Sequence, residues 1–69
     1  MMISFDPLWK TMRKNNATTY TLRIEGGLSS STVSRIKSGD SISTRTIDVL
    51  CKLFNCGVED IISYQYDKN

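Results

Sequence analysis

Four consecutive hydroxyl residues, Ser29-Ser30-Ser31-Thr32, lie near the middle of this sequence, and together with the residues after them they constrain the fold most. Serine-rich tracts often mark linkers. Here, however, Val33 and Ile36 come next at i, i+3, and then Gly39. That pattern predicts a short helix over about Ser30–Ser38, capped by Ser29, with one buried side and an end at Gly39.

The flanking segments divide into pieces of similar size. Asp6-Pro7 reads as N-cap and first helical position. Leu8, Trp9 and Met12 come next at helical spacing, which predicts a helix over about Pro7–Lys14, ended by Asn15-Asn16. Thr18 caps a second, Thr19–Glu25, which carries Leu22 and stops at Gly26-Gly27, a pair able to take positive φ. After the Asp40-Ser41-Ile42 loop, Ser43 caps a fourth helix with the stripe Ile47, Leu50, Cys51 and Phe54, closed by Cys56-Gly57. Val58, Ile61 and Ile62, with Glu59 and Asp60 in the first turn, predict a short fifth helix. The tail, residues 63–69, reads as a brief strand or extended segment. The expectation is an all-α, compact five-helix bundle forming a single domain over residues 1–69. Trp9, Phe54, Val58 and Ile61 are expected in its core.

Composition narrows what such a bundle can do. With 39% hydrophobic residues the chain can build one core and is not a disordered polymer. Sixty-nine residues give thin stability, so association with a second copy would be a natural support. No stretch reaches the length of a membrane span, and MMISFDPLWK lacks the charged and apolar regions of a secretion signal. A cytoplasmic protein is therefore expected, with no membrane partner. Two cysteines, Cys51 and Cys56, and no histidine cannot close a zinc site, so no metal is expected. Both lie in an apolar run and read as small buried hydrophobes. Without His, a Gly-rich phosphate loop or paired carboxylates, an enzyme is not expected, and neither is a cofactor or small-molecule ligand.

Charge is unevenly placed. Residues 10–45 hold seven cations, Lys10, Arg13, Lys14, Arg23, Arg35, Lys37 and Arg45, against Glu25 and Asp40, a net of +5. The remainder carries two lysines against five carboxylates, a net of −3. A basic middle suits a polyanion met by one face. Charge alone is equally compatible with solvated helix surfaces.

The segment Thr18–Gly39 decides between these readings. Two short helices meet at a glycine-containing turn, and the second is lined with short hydroxyl side chains and bears an arginine. A helix that enters the major groove needs small or hydrogen-bonding residues at its N-terminal end, where its backbone approaches base edges. Ser30 and Ser31 occupy that end. Arg35 shares the face of Ser31 at i, i+4, within reach of the O6/N7 pair of a guanine. For these serines the plainer alternative is capping and solvation, and for Arg35 and Lys37 it is solubility. Arg45 has the alternative of a weak ion pair with Asp48.

From Gly27 to Gly39, GLSSSTVSRIKSG, the sequence resembles the turn and recognition helix of the Cro/repressor (XRE-like) helix-turn-helix family, the lambda-repressor-like fold. The likeness continues through Thr46-Ile47 and Leu50-Cys51 to Phe54-Asn55-Cys56-Gly57-Val58-Glu59-Asp60-Ile61, and covers roughly residues 18–62. It implies that Ser30, Ser31, Ser34 and Arg35 face base edges. It further implies that Thr19, Lys37, Ser38, Ser43, Thr44 and Arg45 contact phosphate. Family members commonly dimerise through the fifth helix, which points to Ile62, Tyr64 and Tyr66 as an interface. Two departures stand out. Arg23 replaces a small residue over which the recognition helix packs, so it must snorkel outward or open the helix angle. Gly26 replaces a commonly apolar residue.

The function expected from the sequence is therefore sequence-specific binding to a near-palindromic double-stranded DNA operator, as a homodimer. Such a chain would be a small transcriptional regulator of bacterial or phage type, a repressor. The alternative is a protein-interaction module, such as an antitoxin or a regulator's partner, that uses the same fold without reading bases.

Overall fold

The computed structural model describes residues 2–66. Four α-helices form its body: α1 (Asp6–Lys14), α2 (Thr19–Ile24), α3 (Ser30–Ser38) and α4 (Thr44–Phe54). A single 3-10 turn, Val58–Asp60, takes the place of a fifth helix. Strands β1 (Met2–Ser4) and β2 (Ser63–Gln65) pair antiparallel, with Met2 opposite Gln65, Ile3 opposite Tyr64 and Ser4 opposite Ser63. The rest of the expected tail, residues 67–69, lies outside the described residues.

The expectation of five helices and an all-α chain is thus corrected, and the reason is physical. Val58, Ile61 and Ile62 have helical spacing, but one isolated turn fixes several dihedrals for very few hydrogen bonds. Ser63, Tyr64 and Gln65 instead find a ladder partner in Met2–Ser4, near the opposite end of the chain. The turn that remains is tight, with Asp60 and Ile61 donating N–H bonds to the carbonyls of Gly57 and Val58. So short a turn presents one side chain to the core. Ile61 is fully buried, whereas Val58 is 51% exposed, which corrects its expected place in the core.

Helix ends obey capping chemistry, with two corrections. Asp6 is not the N-cap of α1: Phe5 holds that position without a side-chain bond, and the Asp6 N–H donates to Ser4 Oγ. Phe5 is itself buried, so the chain enters the helix by driving an aromatic ring into the core. Asp6 and Pro7 then fill the first turn, where a carboxylate favours the helix dipole. At the end of α4 the left-handed position is taken by Asn55 (φ +51), not by Cys56-Gly57. Asparagine tolerates that conformation because its side chain is short and polar.

The core comprises Phe5, Leu8, Met12, Leu22, Val33, Ile36, Leu50 and Ile61, with Trp9, Phe54, Ile62 and both free cysteines packed half-buried against it. Burial, with the neighbouring Cys51 and the Asp60 and Glu59 carboxylates, pushes the Cys56 thiol up, which keeps it protonated. Thr11 Oγ1 donates to the Asp60 carbonyl at 2.8 Å and ties α1 to the 3-10 turn. The α2–α3 turn is equally specified. Gly27 has φ +68, and a Cβ on Gly26 would meet the Leu22 carbonyl oxygen at 2.6 Å. Gly26 therefore replaces an apolar residue because the turn leaves no room for one. Among the described residues no helix is long and apolar enough to cross a membrane.

Candidate nucleic-acid interface

The site is built on α3 and the two elements that bracket it. Ser29 caps α3 by accepting the Thr32 N–H at 3.2 Å, and its Oγ lies 3.0 Å from Thr32 Oγ1. Ser43 repeats the device on α4, accepting from the Thr46 N–H at 3.2 Å with Thr46 Oγ1 at 3.1 Å. At α2 the Thr18 N–H donates to Thr21 Oγ1 at 3.1 Å. A common capping box uses Glu or Gln at the third position, whereas each of these three caps uses a threonine. The consequence is electrostatic. The first turns of α3 and α4 contain no carboxylate, so the positive dipole ends are not neutralised. The α1 start and the 3-10 turn, by contrast, carry Asp6 and Glu59-Asp60.

Burial sorts α3 into two sides. Val33 and Ile36 are 5% and 1% exposed and bind the helix to the core. Ser30, Ser31, Ser34, Arg35, Lys37 and Ser38 are all exposed. Helical geometry places Ser31, Ser34, Arg35 and Ser38 opposite the buried pair, with Ser30 and Lys37 on one flank. Ser31 Oγ sits 3.2 Å from Ser29 Oγ, so an outside partner would share or replace that bond.

The flanking residues converge on α2. Thr19, Ser30, Ser34 and Lys37 line one groove of about 350 Å³ together with Tyr20 and Arg23, and Val33 also borders it. Four expected contact residues are thus brought together from two helices. Arg35 lies outside that groove, and Ser43, Thr44 and Arg45 form a separate patch at the start of α4. All three of these α4-start residues are exposed. The Arg45–Asp48 pair is not formed; Asp48 pairs with Lys52 at 3.2 Å. That surface pair contributes little stability itself.

Arg23 resolves one of the two departures from the expected pattern. Its side chain is exposed in the groove while Leu22 beside it is fully buried, so the α2–α3 packing is kept and the arginine snorkels outward. The sequence signalled Arg23 as a misfit, but its membership of the groove emerges only in three dimensions.

A family model for the Cro/C1-type HTH DNA-binding domain matches residues 7–67. The chain belongs to this family. Its Cro/C1-type domain is therefore a DNA-binding one. Among solved structures, the domain is similar to a crystal structure of the transcriptional regulator VanUg (form II), at 27% identity and TM-score 0.85. The match covers 90% of this chain and 83% of that one. No curated protein sequence matches the chain.

Proposed function

We propose that this Cro/C1-type domain is a small transcriptional repressor of bacterial or phage type that binds a near-palindromic duplex operator as a homodimer. The observation that carries the reading is the exposed, hydroxyl-rich and cationic surface formed by α3 with the starts of α2 and α4. Ser30, Ser31, Ser34 and Arg35 read base edges in the major groove. Thr19, Lys37, Ser38, Ser43, Thr44 and Arg45 hold phosphates on either side, the α4 start using free N–H groups and its dipole. The similarity to VanUg, a transcriptional regulator by name, supports the regulatory role. Occupancy of a promoter by such a domain is enough to repress, since it needs no second activity.

Assembly has its own support. One short recognition helix reads few base pairs, and a two-fold dimer sets two of them about 34 Å apart, one duplex turn. Tyr64 and Tyr66 are 45% and 77% exposed and stack edge-to-face at 4.8 Å, and Ile62 is half-buried. Among the described residues the sheet that carries Tyr64 has only two strands, and so small a sheet gains stability from further strands on its edges.

Selection from a random duplex pool tests the proposal. It should enrich an inverted repeat bound by two chains, and Tyr64→Asp should leave a complex of one chain. A pool without any enriched sequence would sink the proposal. On the selected duplex and on a scrambled one alike, Arg45→Ala should weaken binding, lowering the slope of log affinity against log salt by about one. A slope equal to wild type would remove Arg45 from the phosphate contacts.

A further inference from the structure

The groove between α2 and α3 has a composition that contacts from Thr19, Ser30, Ser34 and Lys37 alone do not exhaust. Arg23 stands on α2 one turn after Thr19, and Lys37 stands on the facing side of α3. Between them the groove of about 350 Å³ is lined by the hydroxyl-bearing residues Thr19, Tyr20, Ser30 and Ser34, and its lining includes no carboxylate. Both cations are exposed, and neither forms an ion pair among the described residues. Two like charges on one small groove repel each other, and the arrangement becomes favourable when an anion sits between them.

We propose that this groove is a backbone-phosphate clamp in which Arg23 and Lys37 close from opposite walls on one phosphodiester of the bound duplex. The inference rests on the reading of α3 as the helix inserted in the major groove. With Ser30 and Ser34 at base edges, the α2-facing flank of α3 borders the strand that walls the groove, and its phosphates lie over Arg23. A guanidinium offers two parallel N–H donors to two phosphate oxygens, and the lysine ammonium adds a point charge. The hydroxyls of Thr19 and Tyr20 supply neutral donors beside them. This gives Arg23 a role of its own: it supplies the positive charge of the α2 wall, where the family pattern has a small residue.

Fluorescence anisotropy of the full chain with a labelled duplex of mixed sequence tests the clamp, because phosphate contacts are blind to sequence. Arg23→Ala should weaken binding on every duplex alike, and Arg23→Lys should recover part of the loss, because it restores the charge without the paired donors. The double variant Arg23→Ala/Lys37→Ala should lower the salt slope by about 0.9, the value of one phosphate, which is roughly a 3.5-fold smaller change between about 50 and 200 mM salt. A double-variant loss near 1.8 would mean two separate phosphates and would overturn the shared clamp. So would wild-type affinity in Arg23→Ala, or a loss confined to one sequence that lysine fails to rescue. Lys52→Ala, remote at the end of α4, should leave the slope unchanged. Wild-type protein without salt-dependent duplex affinity would refute the underlying reading. Normal binding in wild type that Arg23→Ala leaves intact refutes the clamp alone.

Discussion

Ile61→Ala should destabilise the domain by about 2–5 kcal/mol, the range for emptying a fully buried aliphatic site. Ile61 has no exposed surface, and the 3-10 turn that leads into it packs on both α1 and α4. A chain of this size has a total stability of only about 5–15 kcal/mol, at the low end for a single small core, so the loss is a large fraction of it. The thermal midpoint should fall by roughly 10 °C or more. Val58→Ala, three positions earlier, should change stability by about 0.5 kcal/mol or less, as expected for a half-exposed surface residue. Thermal unfolding of both variants by circular dichroism is the measurement. Equal losses would mean that residues 58–61 form a regular helix with both side chains inward, contrary to a 3-10 turn that buries Ile61 alone.

Arg35→Ala should cost about 1–3 kcal/mol on a selected operator, roughly a 5- to 150-fold rise in Kd, and little on a scrambled duplex. The expectation comes from position. Arg35 is exposed on the side of α3 opposite Val33 and Ile36, one turn after Ser31, and it lies outside the Arg23–Lys37 groove. A bidentate contact with guanine O6 and N7 is specific, whereas a phosphate contact is not. Equal losses on the two duplexes would show that Arg35 holds phosphate and carries no sequence information. The contrast with Arg45→Ala, which should act alike on both, separates the two kinds of contact within one experiment.

Much of the candidate surface on α3 was legible in the sequence because its signals are local. Ser29, Val33, Ile36 and Gly39 lie within a dozen positions, and cap, apolar spacing and terminating glycine all indicate the same helix. The bounds of α3 match the sequence-based expectation residue for residue, and those of α2 differ by one at the C-terminus. Exposure of Ser30, Ser31, Ser34 and Arg35 arises from the same periodicity, since burying Val33 and Ile36 leaves the other side to solvent. Local rules erred where they had two solutions. Asp6 was as good a cap as any, but Phe5 needed burial, so the helix began one residue earlier.

What the sequence determined by itself is the set of helices whose start, face and stop are written within a single turn or two: α1, α2, α3 and most of α4. What only the tertiary structure decided is everything that depends on a distant partner. Val58, Ile61 and Ile62 carry helical spacing and the tail reads only as extended, yet β1, far away along the chain, pairs with Ser63–Gln65 in a ladder, leaving one 3-10 turn and an outward Val58. Arg23 likewise reads as a misfit in the helix-turn-helix until α3 is packed against α2, when it lines a groove with Lys37. Hydrogen-bond partners of strands and the walls of grooves are non-local, and a pattern read along the chain carries no term for them.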